Sequence, residues 1–200
     1  MHKYPEQKFN IPGLKGISRK TVEEHIKLYS GYVKNANLIN EKIVEYMKDD
    51  EKHSYALGEL RRRFSFEFNG MRNHENYFRC FEDGAKKISG GALKKAIEND
   101  FADFGDFDGW LNAFKAIAMT RGIGWAMLYY DPSAKKLTHV WVDEQHLGQL
   151  NGSPLILGLD MWEHSYLFDY TPSEKKKYVE AFFENLNWQV IEENFERAVR

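Results

Sequence analysis

The feature that most constrains this chain is a pair of long helix-patterned stretches separated by only a short polar break. The first opens at Ser18, a good N-cap residue, and runs from Arg19 to about Met47, with a bend or interruption expected near Gly31. The second spans about His53 to Phe81, with Leu57, Leu60, Phe64, Phe68, Met71 and Tyr77 at helical spacing. Only Asp49-Asp50-Glu51-Lys52 lies between them. Two such helices joined by so short a turn fold back on each other as an antiparallel α-hairpin.

The rest of the chain has a different character. Residues 1–17 read as an extended arm, punctuated by Pro5, Pro12, Gly13 and Gly16. Asp83-Gly84 and Ser89-Gly90-Gly91 give the clearest boundary signal, dividing an N-terminal domain, 1–88, from a C-terminal domain, 89–200. Beyond it come two shorter helices, about Ala92–Phe101 and Phe107–Thr120. Gly124–Tyr130 then reads as a strand, Asp131-Pro132-Ser133 as a turn, Leu137–Val142 as its partner and Leu155–Leu159 as a third strand. The tail, about 172–200, returns to amphipathic helix, with Tyr178, Phe182, Phe183 and Val190 facing inward. The expected class is α+β: a long α-hairpin, then an α/β half with a small antiparallel sheet of about three strands.

Composition narrows the function by exclusion. A formal net charge of -2 provides no broad electrostatic footprint for nucleic acid or an anionic membrane. Cys80 is the single cysteine, which rules out an intrachain disulfide or a thiolate cluster and reads best as a small buried apolar residue. The N-terminus is polar and unlike a signal peptide, and no apolar run approaches the length of a membrane span. A cytoplasmic protein is the expectation.

Among the seven histidines, His25 and His74 occupy the two long helices, so the hairpin can turn both imidazoles into one interior site. Two satisfied core histidines remain the simpler reading of that pair alone. The segment Leu159-Asp160-Met161-Trp162-Glu163-His164 shifts the balance, because Asp160 and His164 stand where an apolar strand ends beside Trp162. Such groups are costly to bury unless paired or bound to a metal. Three imidazoles and one carboxylate suit a first-row metal that cycles between M(II) and M(III). Zinc accepts the same ligands, but nothing nearby resembles a hydrolase. No glutamate lies three residues before a histidine, which removes the helical di-iron pattern. His74-Glu75 is followed by Phe78 where a second histidine would complete His-Glu-x-x-His, and there is no P-loop or Gly-x-Gly-x-x-Gly.

The residues from Asp160 to Tyr166 resemble the iron/manganese superoxide dismutase signature, Asp-x-Trp-Glu-His-[Ala/Ser]-Tyr. Further segments resemble the same family in order: Ser18-x-x-Thr21-x-x-x-His25, Tyr32-Val33-x-Asn35, Asn69-Gly70-x-x-Asn73-His74, Gly122-x-Gly124-Trp125 and Phe182 to Trp188. The resemblance covers nearly the whole chain from about residue 9. It implies dismutation of superoxide to oxygen and hydrogen peroxide at one iron or manganese ion per subunit, held by His25, His74, Asp160 and His164. It also implies a channel tyrosine at Tyr32, aromatic walls at Trp125 and Trp162, and a homodimer, or a tetramer built from it. In that dimer Glu163 reaches the partner's His164. The alternative is a protein of the same fold that has lost catalysis or binds its metal without redox chemistry.

Several positions depart from the family. Tyr29 stands where a histidine is usual and Leu167 where a tyrosine is usual, a pair that meets across the family's dimer interface; their joint loss implies a rearranged interface and proton path. The step from His25 to Tyr32 is one residue short, leaving Tyr29 as a second candidate for the channel. Met127 replaces a tryptophan, which predicts a looser aromatic shell. The family also sets an amide or imidazole against the solvent molecule on the metal. With Gly70 at the helical position for that group, Gln145 is the candidate from the sheet side and His146 the other.

Overall fold

The computed structural model describes residues 3–200. Helix α1, Arg19–Tyr46, starts where Ser18 Oγ accepts the Thr21 N–H, and it runs through Gly31 without interruption. The expected break is absent: one glycine costs a helix only about 1 kcal/mol, and burial of Thr21, His25, Tyr29, Val33, Ala36 and Ile39 along one stripe outweighs that. After a 3-10 turn at Met47–Asp49, helix α2, Ser54–Arg79, returns antiparallel to α1.

The buried stripe of α2 differs from the expected one. Phe66, Gly70, Met71, His74 and Phe78 are buried, whereas Leu60, Phe64 and Phe68 are half-buried. The N-terminal arm explains part of the shift, because it gives Phe68 a partner of its own in Tyr4 (5.7 Å, edge-on). The arm is tied to α1 by a reciprocal pair, Tyr4 N–H to Asn37 Oδ1 and Asn37 Nδ2 to the Tyr4 carbonyl.

Helices α3, Ala92–Asp100, and α4, Phe107–Ala118, lead into strands β1, Gly124–Asp131, β2, Lys136–Asp143, and β3, Leu155–Asp160. The sheet is antiparallel, in the order β2-β1-β3. Asp131 Oδ1 accepts from the N–H groups of Ser133 and Ala134, closing the β1–β2 turn. Strand β1 is buried over nearly its whole length, as a central strand covered on both faces must be. The register pairs Trp125 with Asp160, and Asn76 Oδ1 accepts the Gly158 N–H, which docks β3 on α2 two residues from His74.

The tail is not one helix. A 3-10 turn at Pro172–Glu174 precedes α5, Lys175–Glu184, and α6, Trp188–Ala198. Asn185 and Asn187 make the break, Asn185 bonding the Lys15 and Ala181 carbonyls and Asn187 capping α6 through the Gln189 N–H. The break resets the helical phase, so Trp188, Ile191 and Phe195 face the core while Phe183 and Val190 are only half-buried.

Candidate metal centre

Four elements deliver one residue each to a buried point between the hairpin and the sheet. His25 comes from α1, His74 from α2, Asp160 from the end of β3 and His164 from the 3-10 turn Glu163–Ser165 that follows. The loop after β3 is held so that His164 folds back over Asp160. Tyr178 Oη donates to the Asp160 carbonyl at 2.8 Å, and Ser165 Oγ, whose hydroxyl proton is shared with the Trp162 carbonyl at 2.6 Å, reaches it at 3.1 Å. Asp169 Oδ2 accepts from Ser18 N–H and Thr21 Oγ1, fastening the same loop to the start of α1.

Three imidazole Nε2 atoms converge on one carboxylate oxygen. Asp160 Oδ2 lies 3.1 Å from His25, 3.1 Å from His164 and 3.5 Å from His74. Donors about 2.1 Å from a shared ion and 90–120° apart lie about 3.0–3.6 Å from each other. These separations are therefore those of a ligand set. His74 supplies a second test, because its Nε2 is buried without a hydrogen-bond partner while its Nδ1–H is committed to the Gly70 carbonyl at 2.6 Å. An orphaned buried nitrogen is expensive unless something fills its lone pair. The donor set, three neutral nitrogens and one carboxylate, fits iron or manganese.

The electrostatics agree. Burial pulls His74 down to about 3, with the neighbouring His25 charge adding to it, so the imidazole is a neutral ligand at any ordinary pH. Burial likewise lowers His25. Burial opposes ionisation of Asp160, but the charge and hydrogen bond of His164, with those of His25, outweigh it and hold the carboxyl below its usual range. Trp162 N–H also donates to Asp160 Oδ1 at 2.8 Å.

Aromatic rings close the surroundings. Trp125 meets His74 edge-on at 5.2 Å, Trp162 stacks on His164 at 5.8 Å, and Tyr77 and Phe78 each lie 4.9 Å from His25. Met127 is fully buried, its Sδ 2.8 Å from the Tyr129 hydroxyl, so the position expected to loosen this shell is packed. A cleft of about 370 Å³ leads in from the surface, lined by Lys27, Tyr32, Arg63, Phe66, Trp162 and His164 among others.

The two tyrosines of α1 part company. Tyr32 is seven residues after His25, about 20° short of two full turns, and its ring lies 5.0 Å from His74. Tyr29, about 40° to the other side, sends its hydroxyl away from the cluster, accepting from Gln7 N–H and donating to Glu75. Gln145 is fully buried; its Oε1 accepts from Trp125 Nε1 (3.0 Å) and its Nε2 donates to Tyr32 Oη (3.1 Å). His146 instead packs edge-on against Phe66 (5.6 Å), its Nδ1 buried without a hydrogen bond. Glu163 and Leu167 are exposed.

Sequence reasoning missed Tyr178, Asn73 and Gln149. Tyr178 holds the Asp160 carbonyl from α5, and Asn73 and Gln149 both donate to the Gln145 carbonyl. Only Asn73 carried a local signal, its place beside His74.

The family model for iron/manganese superoxide dismutases, C-terminal domain, matches residues 89–194. An iron superoxide dismutase of Aquifex pyrophilus is 34% identical over 98% of this chain and 92% of its own. One from Cupriavidus metallidurans is 36% identical over 94% of this chain and 92% of its own. A manganese superoxide dismutase of Halobacterium salinarum is 33% identical over 99% of this chain and 96% of its own.

Proposed function

The chain belongs to the iron/manganese superoxide dismutase family, and on that footing we propose which of its residues carry the reaction and how it assembles. It is a superoxide dismutase: two superoxide anions and two protons yield oxygen and hydrogen peroxide at one iron or manganese ion. We assign His25, His74, Asp160 and His164 as the ligands, and the observation that carries this is the convergence of three Nε2 atoms on Asp160 Oδ2. When bound, the metal supplies one-electron chemistry, cycling between M(III) and M(II).

The remaining tasks fall to the protein. Lys27 and Arg63 line the cleft an anionic substrate would enter, each also paired with a carboxylate, Lys27 with Glu24 at 2.7 Å and Arg63 with the buried Glu67 at 2.8 Å. Burial, and then the Asp160 charge, push the Tyr32 phenol up, so it keeps its proton. Because Gln145 Nε2 donates to the Tyr32 oxygen, the Tyr32 hydroxyl proton is left to point elsewhere, and the cleft offers it an incoming anion. Tyr32 is thus the tyrosine that offers the substrate a hydrogen bond, and Gln145 orients it; Gln145 is also the amide that would face the solvent on the metal and so tune its potential. The engagement of Tyr29 by Gln7 and Glu75, and of His146 by Phe66, argues against either in these roles.

The assembly we propose is a homodimer in which Glu163 accepts from Nδ1 of His164 of the partner subunit. Histidine ligands of metals regularly give their second N–H to a carboxylate. His164 bonds through Nε2 to Asp160, and its Nδ1 has no hydrogen bond among the described residues. Exposed Leu167 and Phe168 follow Glu163 by four and five residues, as an interface would use them. The two-domain reading, 1–88 and 89–200, is supported by the ligands falling two and two. An antioxidant role in the cytoplasm is consistent with a single cysteine; no helix among the described residues is long and apolar enough to cross a membrane.

Loading the metal-free protein separately with iron and with manganese, then assaying superoxide loss, tests the site. Activity restored by at least one metal, and lost in Asp160→Ala with its metal, is the expected result. Metal bound at full occupancy by Asp160→Ala would overturn the ligand assignment.

A further inference from the structure

Strand β1 grips the turn that carries Gln145 at two places. Trp125, Met127 and Tyr129 share one face of the strand, as alternate residues do. Trp125 Nε1 donates to Gln145 Oε1 at 3.0 Å, and Tyr129 Oη donates to Oε1 of Gln149, four residues further along. Gln149 Nε2 in turn donates to the Gln145 carbonyl (3.2 Å) and to Asn73 Oδ1 (3.1 Å). Asn73 Nδ2 completes the set by donating to the same Gln145 carbonyl at 3.0 Å.

The direction of the Gln149 amide decides whether this chain of bonds holds. Tyr129 is buried, and its single hydroxyl proton has two acceptors within reach, Gln149 Oε1 and the Met127 thioether. A thioether is the weaker acceptor, so the proton goes to Gln149. With its oxygen fixed on Tyr129, Gln149 can present only its NH₂ group to the Gln145 carbonyl. A reversed amide would set oxygen against oxygen there.

The turn has need of such anchoring. Residues 144–154 connect β2 to β3 without helix or strand, and Glu144 (φ 50°), Gly148 (φ 94°) and Gly152 (φ 74°) take left-handed backbone conformations. Yet this irregular segment must deliver a fully buried side chain to Tyr32. The geometry points to Tyr129 and Gln149 as positioning residues that hold the Gln145 carbonyl, and with it the direction in which the Gln145 amide offers its N–H to Tyr32 beside the metal site. This rests on the role given to Gln145 above.

Tyr129→Phe and Gln149→Leu each remove the bonds with little change of volume, so either can report if the other folds poorly. In protein loaded with manganese, and separately with iron, backbone hydrogen exchange over residues 143–149 is expected to quicken about fivefold, the factor for losing one ordinary hydrogen bond. Exchange in α1 and metal content stay as in the parent. The midpoint potential of the metal moves in the same direction as in Gln145→Ala, and Tyr129→Phe adds nothing further once Gln145 is alanine. Unchanged exchange in the turn, or a potential shift that adds in full to that of Gln145→Ala, overturns the proposal. Quickened exchange together with an inert Gln145→Ala keeps the anchoring and overturns the reading of Gln145 instead, so the two failures are separable.

Discussion

Gly70 and Tyr32 are matched to each other: a Cβ placed on Gly70 would stand 2.6 Å from Tyr32 Cδ1 and 2.7 Å from its Cε1. The ring of half-buried Tyr32, packed against His74 and Phe66, cannot retreat as a flexible chain end would. Gly70→Ala therefore moves Tyr32 off Gln145, while the Gly70 carbonyl still receives His74 Nδ1–H. Metal content should hold and dismutation should fall about 10- to 100-fold, the usual cost of a displacement near 1 Å in a working site. A fully active, fully loaded Gly70→Ala protein would contradict the role of Tyr32.

Tyr178 is expected to matter for stability as well as for the site. Its hydroxyl donates to the Asp160 carbonyl at 2.8 Å and meets Tyr77 Oη at 3.1 Å, both in the core. Tyr178→Phe leaves Tyr77 short of a partner and the Asp160 carbonyl with only a share of the Ser165 hydroxyl, which also bonds the Trp162 carbonyl. Leaving buried polar groups short of partners costs about 1–3 kcal/mol, which at this chain length lowers the melting temperature by roughly 2–4 °C per kcal/mol. Thermal unfolding of the loaded variant measures it, and a melting temperature equal to the parent's would rule the contribution out.

The hairpin, the sheet and the four converging residues were legible because each has its own local signal: helical spacing, alternation with turn residues, and an acid and a histidine at the end of an apolar strand. What surrounds the four was less so. Gln145 was nameable only as a candidate, since its position depends on a connection with three left-handed residues and on donors from α2 and β1. The short spacing from His25 made Tyr29 and Tyr32 look interchangeable. What separates them is the arm, whose Gln7 N–H occupies Tyr29. At Met127 the lost tryptophan suggested a looser shell, but Tyr129, two residues on and on the same face, packs its hydroxyl against the sulfur. The helix break at Asn185–Asn187 was missed although both asparagines are good local competitors for backbone hydrogen bonds.

Acid should destabilise the metal-free protein well before its carboxylates titrate. His74 has a folded-state value of about 3 because of burial, against about 6.5 in an unfolded chain. Between those two values the unfolded chain binds the extra proton, so stability falls as pH falls, by up to about 1.4 kcal/mol per pH unit for such a group. His25 shifts in the same direction and adds to the slope. The urea midpoint of the metal-free protein should therefore drop between pH 7 and pH 4.5, and His74→Phe should flatten the dependence. A flat profile in the parent over that window would sink the claim that His74 is buried neutral.

Glu163 gives the sharpest test of assembly. It is exposed in the single chain, beside a ligand that is itself 19% exposed at the side chain. If Glu163 accepts from His164 of the partner subunit, Glu163→Ala removes two such bonds per dimer, because a twofold interface repeats every contact. Dimer affinity, read by sedimentation over a dilution series, should weaken by about tenfold or more. Metal affinity should fall along with it, since loss of a group supporting a ligand histidine costs about 10- to 100-fold. Glu163→Gln retains an acceptor and should lie between the alanine variant and the parent in both measurements. A protein that stays dimeric and fully loaded as Glu163→Ala places the interface elsewhere on the molecule.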